Sequence, residues 1–590
     1  MTFLRELLAA ILGVIIASVI MLLVFMAIVS ATASAFGEDK KITVENNSVL
    51  ELKLEDEIKD YVPKSSDPFE ELFGLYDGKI QLQNILNAIE NAKTDDNIKG
   101  ISINSLYINS GIAQTQAIRD KLREFKESGK FVMAYANMYS QKNYYLSSVA
   151  DSVFVNPVGD VDFRGLASEV LYFKDFEDKT GVKMEVIRHG KYKSAVEPFL
   201  TNKMSDANRE QITSFLNSIW GDIVDDISIS REKTHEELNI IADSLYARNP
   251  KLALENNMID GILFKDEYDN KLKALTNTKI DENLNLVTLD DYIATGKGRL
   301  KSTASDKIAI VYAQGDIMYG DGSEEYIGQG KIIESLKKIR KDNSIKAIVL
   351  RVNSPGGSAL VSDLILRELE LTKKEKPLVV SMGNYAASGG YYISCNADKI
   401  VAEPTTITGS IGVFGMIPNF SKLADNIGIN AEQVGTNAQS LGYSPFEPMT
   451  KSFYNVTREG VEKTYKTFVS RVANGRNLPL SKVDSIAQGR VWTGTEALKI
   501  GLVDSLGDLE DAISVAADLA SVTDYRTVEY PKYKIDFKDA FKPFSFSKTS
   551  KEKLIKEQLG IENYTIYTNL KKFSELKGIQ ARMPFTIEIK

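Results

Sequence analysis

The sequence predicts an α/β protein with two tandem copies of one domain behind a single apolar helix. Two observations carry this prediction: apolar runs of strand length alternate with helical patterns, and the stretch 98–199 matches the stretch 345–446 without a gap. A chain of 590 residues is also too long for one hydrophobic core, because domains usually hold about 100–200 residues. A third observation, the apolar stretch 7–29, sets the amino terminus apart from the folded part.

The apolar stretch 7–29 carries no charged residue and is long enough to cross a membrane. As a helix rising about 1.5 Å per residue, it covers the hydrocarbon layer of about 30 Å. We therefore predict a membrane anchor in residues 1–36. The alternative is a cleaved signal peptide, because residues 33–35 (ASA) resemble a cleavage site, but the apolar core of a signal peptide holds only about 7–15 residues. The few charges that flank the span do not fix its orientation.

Strand and helix patterns follow one another along the second copy. The order is strand 308–317, helix 332–341, strand 345–352, a helix after Ser358, and strand 377–382. Buried strands that alternate with helices indicate parallel strands covered by helices on the faces of the sheet.

The match between the copies keeps one register, an offset of 247 residues. Identical pairs include Tyr144 and Tyr391, Tyr145 and Tyr392, Pro157 and Pro404, and Gly181 and Gly428. A sustained single register indicates an internal duplication. The predicted domains are the first copy at 41–275, a linker at 276–304, the second copy at 305–528 and a carboxy-terminal extension at 529–590.

The composition excludes several kinds of site. The net charge is -8 without a block of like charge, so the basic surface typical of a nucleic-acid binder is missing. One cysteine, Cys395, excludes an intramolecular disulfide and a thiolate-rich metal site. With His189 and His235 as the only histidines, we do not expect a zinc site built on histidine. We predict no metal, no cofactor and no nucleic acid.

Two glycine-marked turns in the second copy follow predicted strands and suit the binding of an oxyanion. One is 353–358 (NSPGGS), and the other is 386–390 (AASGG), where Ser388 stands at the expected start of a helix. Glycine lets the backbone approach a ligand closely, and free N–H groups and the positive end of a helix dipole stabilise negative charge. The alternative is that such turns only connect strands to helices.

Comparison of the copies favours a chemical role, because each copy keeps a different part of a catalytic pair. Gln141 stands at the position of Ser388, and the first copy lacks the glycines of both turns. Lys193 of the first copy stands at the position of Ser440. A serine becomes a nucleophile when a base takes its proton, and a lysine can be that base when burial lowers its pKa. We therefore predict Ser388 as nucleophile and Lys193 as general base.

Alternatives stay open for these side chains. Taken alone, Lys193 fits a solvated surface lysine, the usual environment of that residue type. His189, four residues earlier, is the alternative base. Ser410, in the turn 408–412 (TGSIG), is either an ordinary turn serine or the group that orients the lysine amine through a hydrogen bond.

Four motifs together resemble the signal peptide peptidase A family in its long, membrane-anchored, two-repeat form. They are 192–199 (YKSAVEPF), 353–357 (NSPGG), 386–391 (AASGGY) and 408–412 (TGSIG). The resemblance covers nearly the whole chain. It implies a ClpP/crotonase-like fold for each repeat, a homotetramer, and endoproteolysis of signal peptides left in the membrane after secretory proteins are released. It also implies a single-pass protein of the bacterial inner membrane, with its amino terminus in the cytoplasm and its catalytic part outside.

For the active site, the same resemblance implies that Ser388 is the nucleophile and that Lys193 accepts and returns the proton. The backbone N–H of Gly389, with one from Gly356 or Gly357, would form the oxyanion hole.

Two other functions stay open from the sequence. A crotonase-like enzyme uses paired backbone amides to stabilise acyl-CoA enolates and would not need Ser388 and Lys193 as a pair. A membrane-anchored scaffold would use the repeats only for assembly. The extension 529–590, rich in lysine and aromatic residues, is a candidate for a part in assembly.

Overall fold

The structure, a computed structural model, describes residues 5–7, 9–21, 24, 43–63, 78–533 and 579–583. In this part of the chain each repeat builds a central sheet of mainly parallel strands, and a third sheet joins the two repeats. Helices pack their apolar faces on the central sheets. The predicted α/β class with two repeats is therefore confirmed.

The sheet of the first repeat has six strands, and all its pairings are parallel. Their order is β8 (Gly261–Ile262), β6 (Ser152–Val155), β5 (Phe131–Ala136), β4 (Ile98–Ile103), β1 (Ser48–Leu52) and β9 (Leu286–Thr288). The inner strands are buried along nearly their whole length, as expected for a parallel sheet covered on both faces. β9 lies in the segment 276–304 that the sequence suggests as a linker, so this segment provides an edge strand.

The sheet of the second repeat has eight strands. Their order is β19 (Val491–Thr493), β17 (Ile407–Gly409), β15 (Leu378–Ala387), β13 (Ile345–Ser354), β10 (Lys307–Gln314) and β21 (Arg526–Tyr530), with β16 (Lys399–Ala402) on β15 and β20 (Ser505–Leu506) on β16. All pairings are parallel except that of β17 with β19. The strands predicted at 345–352 and 377–382 are confirmed, whereas the strand predicted at 308–317 ends at Gln314, and Asp316–Ile317 belongs to another sheet.

The third sheet combines strands of both repeats and of the carboxy-terminal extension. Its order is β12 (Tyr326–Ile327), β11 (Asp316–Ile317), β14 (Gly356–Ser358), β22 (Ile579–Arg582), β18 (Val413–Asn419) and β7 (Lys183–His189). β7 of the first repeat pairs antiparallel with β18 of the second, from Val413 opposite His189 to Asn419 opposite Lys183. A separate parallel pair is formed by β2 (Glu57–Lys59) and β3 (Lys79–Gln81).

The helices of the first repeat are Leu82–Thr94, Ile112–Lys126, Gln141–Ser147, Lys174–Thr180, Asp206–Arg231, His235–Asp243, Pro250–Glu255, Lys265–Leu275 and Leu289–Tyr292, with a 3-10 helix at Ser194–Phe199 and a π-helical turn at Ile293–Lys297. Those of the second are Gln329–Lys341, Ala359–Lys373, Gly389–Ser394, Ser421–Asn426, Lys451–Arg476, Leu480–Ile486, Gly494–Ile500 and Leu509–Leu519.

The longest helices of the two repeats correspond to each other, which supports the duplication. Asp206–Arg231 and Lys451–Arg476 have 26 residues each. The hydroxyl of Ser205 accepts a hydrogen bond from the N–H of Asn208, and that of Thr450 accepts one from the N–H of Phe453. Each hydroxyl so satisfies a donor of the first turn.

A buried ion pair joins the two repeats. Asp60 Oδ1 lies 2.7 Å from Nε of Arg351, and both side chains are almost fully buried. The other carboxylate oxygen accepts hydrogen bonds from Asn353 and Gln114. Buried charges are costly unless they are paired and hydrogen-bonded, so this contact favours one arrangement of the repeats.

The predicted membrane anchor lies only partly within the described residues. Residues 5–7, 9–21 and 24 are helical, and no helix in the described part of the chain is long and apolar enough to span a membrane. The alternative cleavage site at 33–35 and most of the predicted extension 529–590 lie outside the described residues.

Candidate active site

Ser388 lies in a sharp turn between β15 and the helix Gly389–Ser394. Its φ and ψ are 56° and -110°, a combination that residues with a side chain rarely adopt. Its N–H donates to the carbonyl of Gly409 at 2.8 Å. Gly390 is required here, because a Cβ would lie 2.7 Å from the carbonyl oxygen of Ser354. The turn thus presents the hydroxyl at the end of the sheet and at the amino terminus of a helix.

Lys193 reaches this hydroxyl from the first repeat. It precedes the 3-10 helix Ser194–Phe199, and its Nζ lies 2.9 Å from Oγ of Ser388. The same Nζ donates to Ser410, to the carbonyl oxygen at 3.2 Å and to the hydroxyl at 3.0 Å. The structure therefore brings together Ser388, Lys193 and Ser410, three side chains selected from the sequence.

The Lys193 side chain is fully buried, with 0% exposure, and burial lowers the pKa of its amine well below its ordinary value. Two glycines leave room for it. A Cβ on Gly489 would lie 2.7 Å from Cβ of Lys193, and a Cβ on Gly412 would lie 3.2 Å from its Cδ. In the described structure the hydrogen bonds of the amine go to oxygens of Ser388 and Ser410.

The segment 192–199 is held by buried polar contacts with the helix Asp206–Arg231. The buried carboxylate of Glu197 accepts a hydrogen bond of 2.6 Å from the Asn208 amide. Gln211 donates to the hydroxyl of Ser194. The residues that follow Lys193 are therefore held in place by the helix Asp206–Arg231, which gives a structural reason for the motif to extend to Phe199.

Gly356, Gly357 and Gly389 lie together beside Ser388. A Cβ on Gly389 would lie 3.1 Å from the nitrogen of Gly357, and a Cβ on Gly356 would lie 2.7 Å from the nitrogen of Gly389. The N–H of Gly356 donates to Oγ of Ser354 at 3.2 Å. Because that donor is used within the turn, the amides of Gly357 and Gly389 are the better pair to bind an oxyanion.

The alternative base, His189, makes its contacts with the helix Lys451–Arg476. Its Nδ1 lies 2.9 Å from the Glu462 carboxylate, and its ring stacks on Tyr465 with 3.7 Å between the ring centroids. The amine of Lys193, and not this imidazole, is the basic group hydrogen-bonded to the Ser388 hydroxyl among the described residues.

The corresponding place in the first repeat is filled by its own side chains. Gln141, at the position of Ser388, accepts hydrogen bonds from the N–H groups of Arg164 and Gly165. Lys142, at the position of Gly389, donates to the carbonyl of Ser110. Ser440, at the position of Lys193, is exposed, and its hydroxyl donates to the carbonyl of Asn437, three residues earlier. Each of these side chains is thus hydrogen-bonded within its own repeat.

Sequence reasoning gave no role to Gly412, which lies in the motif 408–412, and did not select Gly489 or the strand β22. Gly412 has a signal, because Gly165 occupies the same position in the first copy. Gly489 has no local signal, since its neighbour Lys193 belongs to the other repeat. β22 belongs to the extension 529–590, for which the sequence predicted no element beside the active site.

Comparison with known proteins decides the family. The model of peptidase family S49 matches residues 124–279 and 370–523, one segment in each repeat. The chain belongs to peptidase family S49, and it is a serine protease. It is 36% identical over 515 residues to Protease 4 of Haemophilus influenzae, covering 85% of this chain and 83% of that protein.

Two further relatives of this S49 peptidase are similar over most of the chain. Protease 4 of Salmonella typhi is 37% identical over 478 residues, covering 78% of this chain and 76% of that protein. The Serine protease SPPA, chloroplastic, of Arabidopsis thaliana is 32% identical over 487 residues, covering 81% and 70%. The resemblance found in the motifs is confirmed, and a peptidase is favoured over the acyl-CoA enzyme and the scaffold.

Proposed function

We propose that this S49 peptidase is a membrane-anchored endopeptidase with a Ser388/Lys193 dyad that degrades signal peptides left after secretory proteins are released. The observation that carries the dyad is the distance of 2.9 Å between the buried amine and the Ser388 hydroxyl. Burial lowers the pKa of Lys193 well below its ordinary value, which is the direction that a lysine base requires.

The contacts of Lys193 fit a neutral amine, which has two N–H donors and one lone pair. The two donors go to the carbonyl and hydroxyl oxygens of Ser410. The Ser410 hydroxyl can in turn donate to the carbonyl of Gly489, at 3.4 Å. The lone pair is then directed at the Ser388 hydroxyl and can take its proton. Ser410 is thus the orienting group in this proposal.

The reaction follows from these positions. Lys193 takes the proton of Ser388 as Oγ attacks the carbonyl carbon of a peptide bond, and the amides of Gly357 and Gly389 bind the oxyanion. The lysine ammonium gives its proton to the leaving amine, which leaves an ester on Ser388. The same amine then activates a water molecule, which hydrolyses the ester and restores the serine.

The substrate and the location come from the sequence. The apolar stretch 7–29 has the length and composition of a membrane anchor. An enzyme held at the bilayer meets apolar peptides that remain there, and the four motifs resemble the signal peptide peptidase A family. We place the catalytic part outside the cytoplasm, at the bacterial inner membrane, as part of the same proposal.

The proposal includes a homotetramer in which chains contact head to tail. Within one chain β7 pairs with β18. By the offset of 247, their counterparts are 430–436 in the second repeat and 166–172 in the first, and neither forms a strand in the structure. Val434 is 95% exposed and Leu171 is 55% exposed. Pairing of 430–436 with 166–172 of a neighbour would repeat the internal contact and close a ring.

A labelling and degradation experiment tests the function. The full chain, purified in detergent, is treated with a serine-directed fluorophosphonate and incubated with a synthetic signal peptide. We expect labelling at Ser388 and degradation of the peptide, both abolished in Ser388→Ala, with Ser394→Ala as the buried-serine control. Labelling without degradation of the signal peptide would contradict the substrate, and absence of labelling in the folded wild type would contradict the nucleophile.

Assembly is tested by light scattering on the same detergent-purified protein. We expect Val434→Asp to reduce the tetramer to smaller species, whereas Val158→Asp, at a residue 91% exposed outside the two segments, leaves it intact. A tetramer unaffected by Val434→Asp would contradict the proposed strand pairing.

A further inference from the structure

Gln211 lies at the contact between the two repeats, beside the proposed base. Its side chain is fully buried, with 0% exposure. The amide nitrogen donates to the carbonyl of Tyr192 at 3.2 Å and to the hydroxyl of Ser194 at 2.5 Å, so it bonds to the residues on either side of Lys193. The amide oxygen accepts the N–H of Val491, in strand β19, at 3.3 Å. One side chain therefore joins both neighbours of the base to the second repeat.

Strand β19 is tied in turn to the nucleophile. It pairs antiparallel with β17, where Val491 lies opposite Gly409. The carbonyl of Gly409 accepts the N–H of Ser388 at 2.8 Å. Ser410, the next residue, donates its N–H to the carbonyl of Arg490 at 2.7 Å. A short series of hydrogen bonds therefore connects the residues beside the base to the residue that carries the nucleophile.

The residues that precede β19 also contact the segment 192–199. The carbonyl of Gln488 accepts the N–H of Tyr192 at 2.8 Å. The guanidinium of Arg490 lies over the ring of Tyr192, 5.1 Å from its centroid, which is a cation–π contact. These contacts hold Tyr192 from the side of the second repeat, and Gln211 holds Ser194 as well.

The position of the lysine backbone decides whether the amine meets its partner. Lys193 carries its amine on a flexible four-carbon stem, and the contact with the Ser388 hydroxyl is a single hydrogen bond of 2.9 Å. A displacement of about 1 Å in a catalytic group costs about a hundredfold in rate. A buried amide is costly unless it is hydrogen-bonded, so a glutamine that bonds to three segments here indicates a part in fixing this geometry.

We propose that Gln211 is a positioning residue, which sets the distance between the Lys193 amine and the Ser388 hydroxyl by tying residues 192 and 194 to strand β19. The proposal rests on the proposed function, from which it takes the dyad, and deepens it by adding a residue that acts through the base. Gln211 itself bonds to neither of the two reacting groups. Its loss displaces the lysine and lets water reach the amine, while the binding of substrate stays as it is.

A displaced base has two effects that kinetics can measure. kcat should fall with little change in KM, because proton transfer becomes slower whereas substrate binding is unaffected. The rise of activity with pH should also move to higher pH. Burial lowers the pKa of Lys193, and water around the amine would raise that pKa towards its ordinary value. A residue that only stabilises the fold would produce neither effect in the folded protein.

Steady-state kinetics on an apolar fluorogenic peptide compares Gln211→Met with Gln116→Met in the full-length protein. Gln116 is the matched control, because it is also a buried glutamine of the first repeat that bonds to the second, through the hydroxyl of Thr405 at 2.9 Å. We expect Gln211→Met to lower kcat about tenfold or more and to move the pH profile upwards, and Gln116→Met to change neither. Both should lower the midpoint of unfolding in urea, because each leaves buried groups without a hydrogen bond.

Gln211→Asn is the second variant if Gln211→Met does not fold. Its amide is one methylene too short to bond to both the segment 192–199 and β19, so the same two effects are expected. Folded Gln211 variants with the kcat and the pH profile of the wild type would overturn the inference and leave the proposed function standing. An equal loss of kcat in Gln116→Met would also overturn it, because the effect would then belong to the contact between the repeats in general. A wild type without cleavage that depends on Ser388 would contradict the proposed function itself.

Discussion

The amine of Lys193 and the hydroxyl of Ser388 lie 2.9 Å apart although 195 residues separate them in the chain and each belongs to a different repeat. The contact is possible because β7, which leads to the lysine, pairs with β18 of the other repeat. The duplication has thus allowed the copies to diverge, and the site forms only where both meet. Four predictions test the surroundings of this contact.

Ser410→Ala should reduce kcat about fivefold with little change in KM. The substitution removes a hydrogen-bond acceptor of the lysine amine, an interaction of about 1 kcal/mol, and leaves the carbonyl contact in place. Ser521→Ala is the control, because Ser521 has a similar φ, 55° against 48°, and is exposed. Steady-state kinetics on an apolar fluorogenic peptide measures both parameters. Unchanged kcat, or an equal loss in the control, would contradict an orienting role.

Gly489→Ala should reduce kcat/KM at least about a hundredfold. A Cβ there would lie 2.7 Å from backbone and side-chain atoms of Lys193, and a displacement of about 1 Å in a catalytic group costs on that order. Gly129→Ala is the matched control, since the two φ angles are 80° and 79° and a Cβ on Gly129 meets nothing within 4 Å. If both variants keep full activity, Gly489 does not position the lysine.

Asp60→Ala should destabilise the protein by about 3–5 kcal/mol, because it leaves the buried guanidinium of Arg351 without its charge partner. Asp178→Ala, which removes an exposed pair with Lys174, should leave the stability nearly unchanged, because exposed ion pairs contribute little. The midpoint of unfolding in urea measures both. A loss no larger for Asp60→Ala than for the control would show that the buried pair does not hold the repeats together.

Lys193→Met should stabilise the fold at neutral pH. The pKa of Lys193 is lowered by burial, so the unfolded chain binds more protons than the folded one between this pKa and the ordinary value of 10.5. The lysine therefore costs stability at every pH below 10.5, most of all below its folded pKa. Thermal unfolding at neutral pH and near pH 10.5 measures the difference, which should be larger at neutral pH. A wild type as stable as the variant at neutral pH would contradict a depressed pKa.

Much of this site could be predicted from the sequence, because the duplication supplies an internal comparison. Gln141 at the position of Ser388, and Ser440 at the position of Lys193, single out two residues that neither copy needs for its fold. The structure brings these two together and adds Ser410. Continuous apolar runs located the strands, because parallel strands that are buried on both faces carry apolar residues along their whole length.

The rest depends on contacts between segments far apart in the chain. Gly489 is required by a lysine of the other repeat, and Asp60 pairs with Arg351 across the two repeats. β22 has only four residues and lies in a polar extension, so no periodic pattern marks it. Its position is determined by the free edges of β14 and β18, which become visible only when the fold is assembled.

The pH dependence of kcat/KM for an apolar fluorogenic peptide, measured for wild type and Lys193→Met, tests the dyad most directly. Because the neutral amine is the active form, wild-type activity should rise as the pH passes the lowered pKa of Lys193 and level off well below 10.5. Lys193→Met should lose about a thousandfold or more at every pH while remaining folded. Activity retained in Lys193→Met, with the pH dependence of the wild type, would show that another group takes the proton of Ser388.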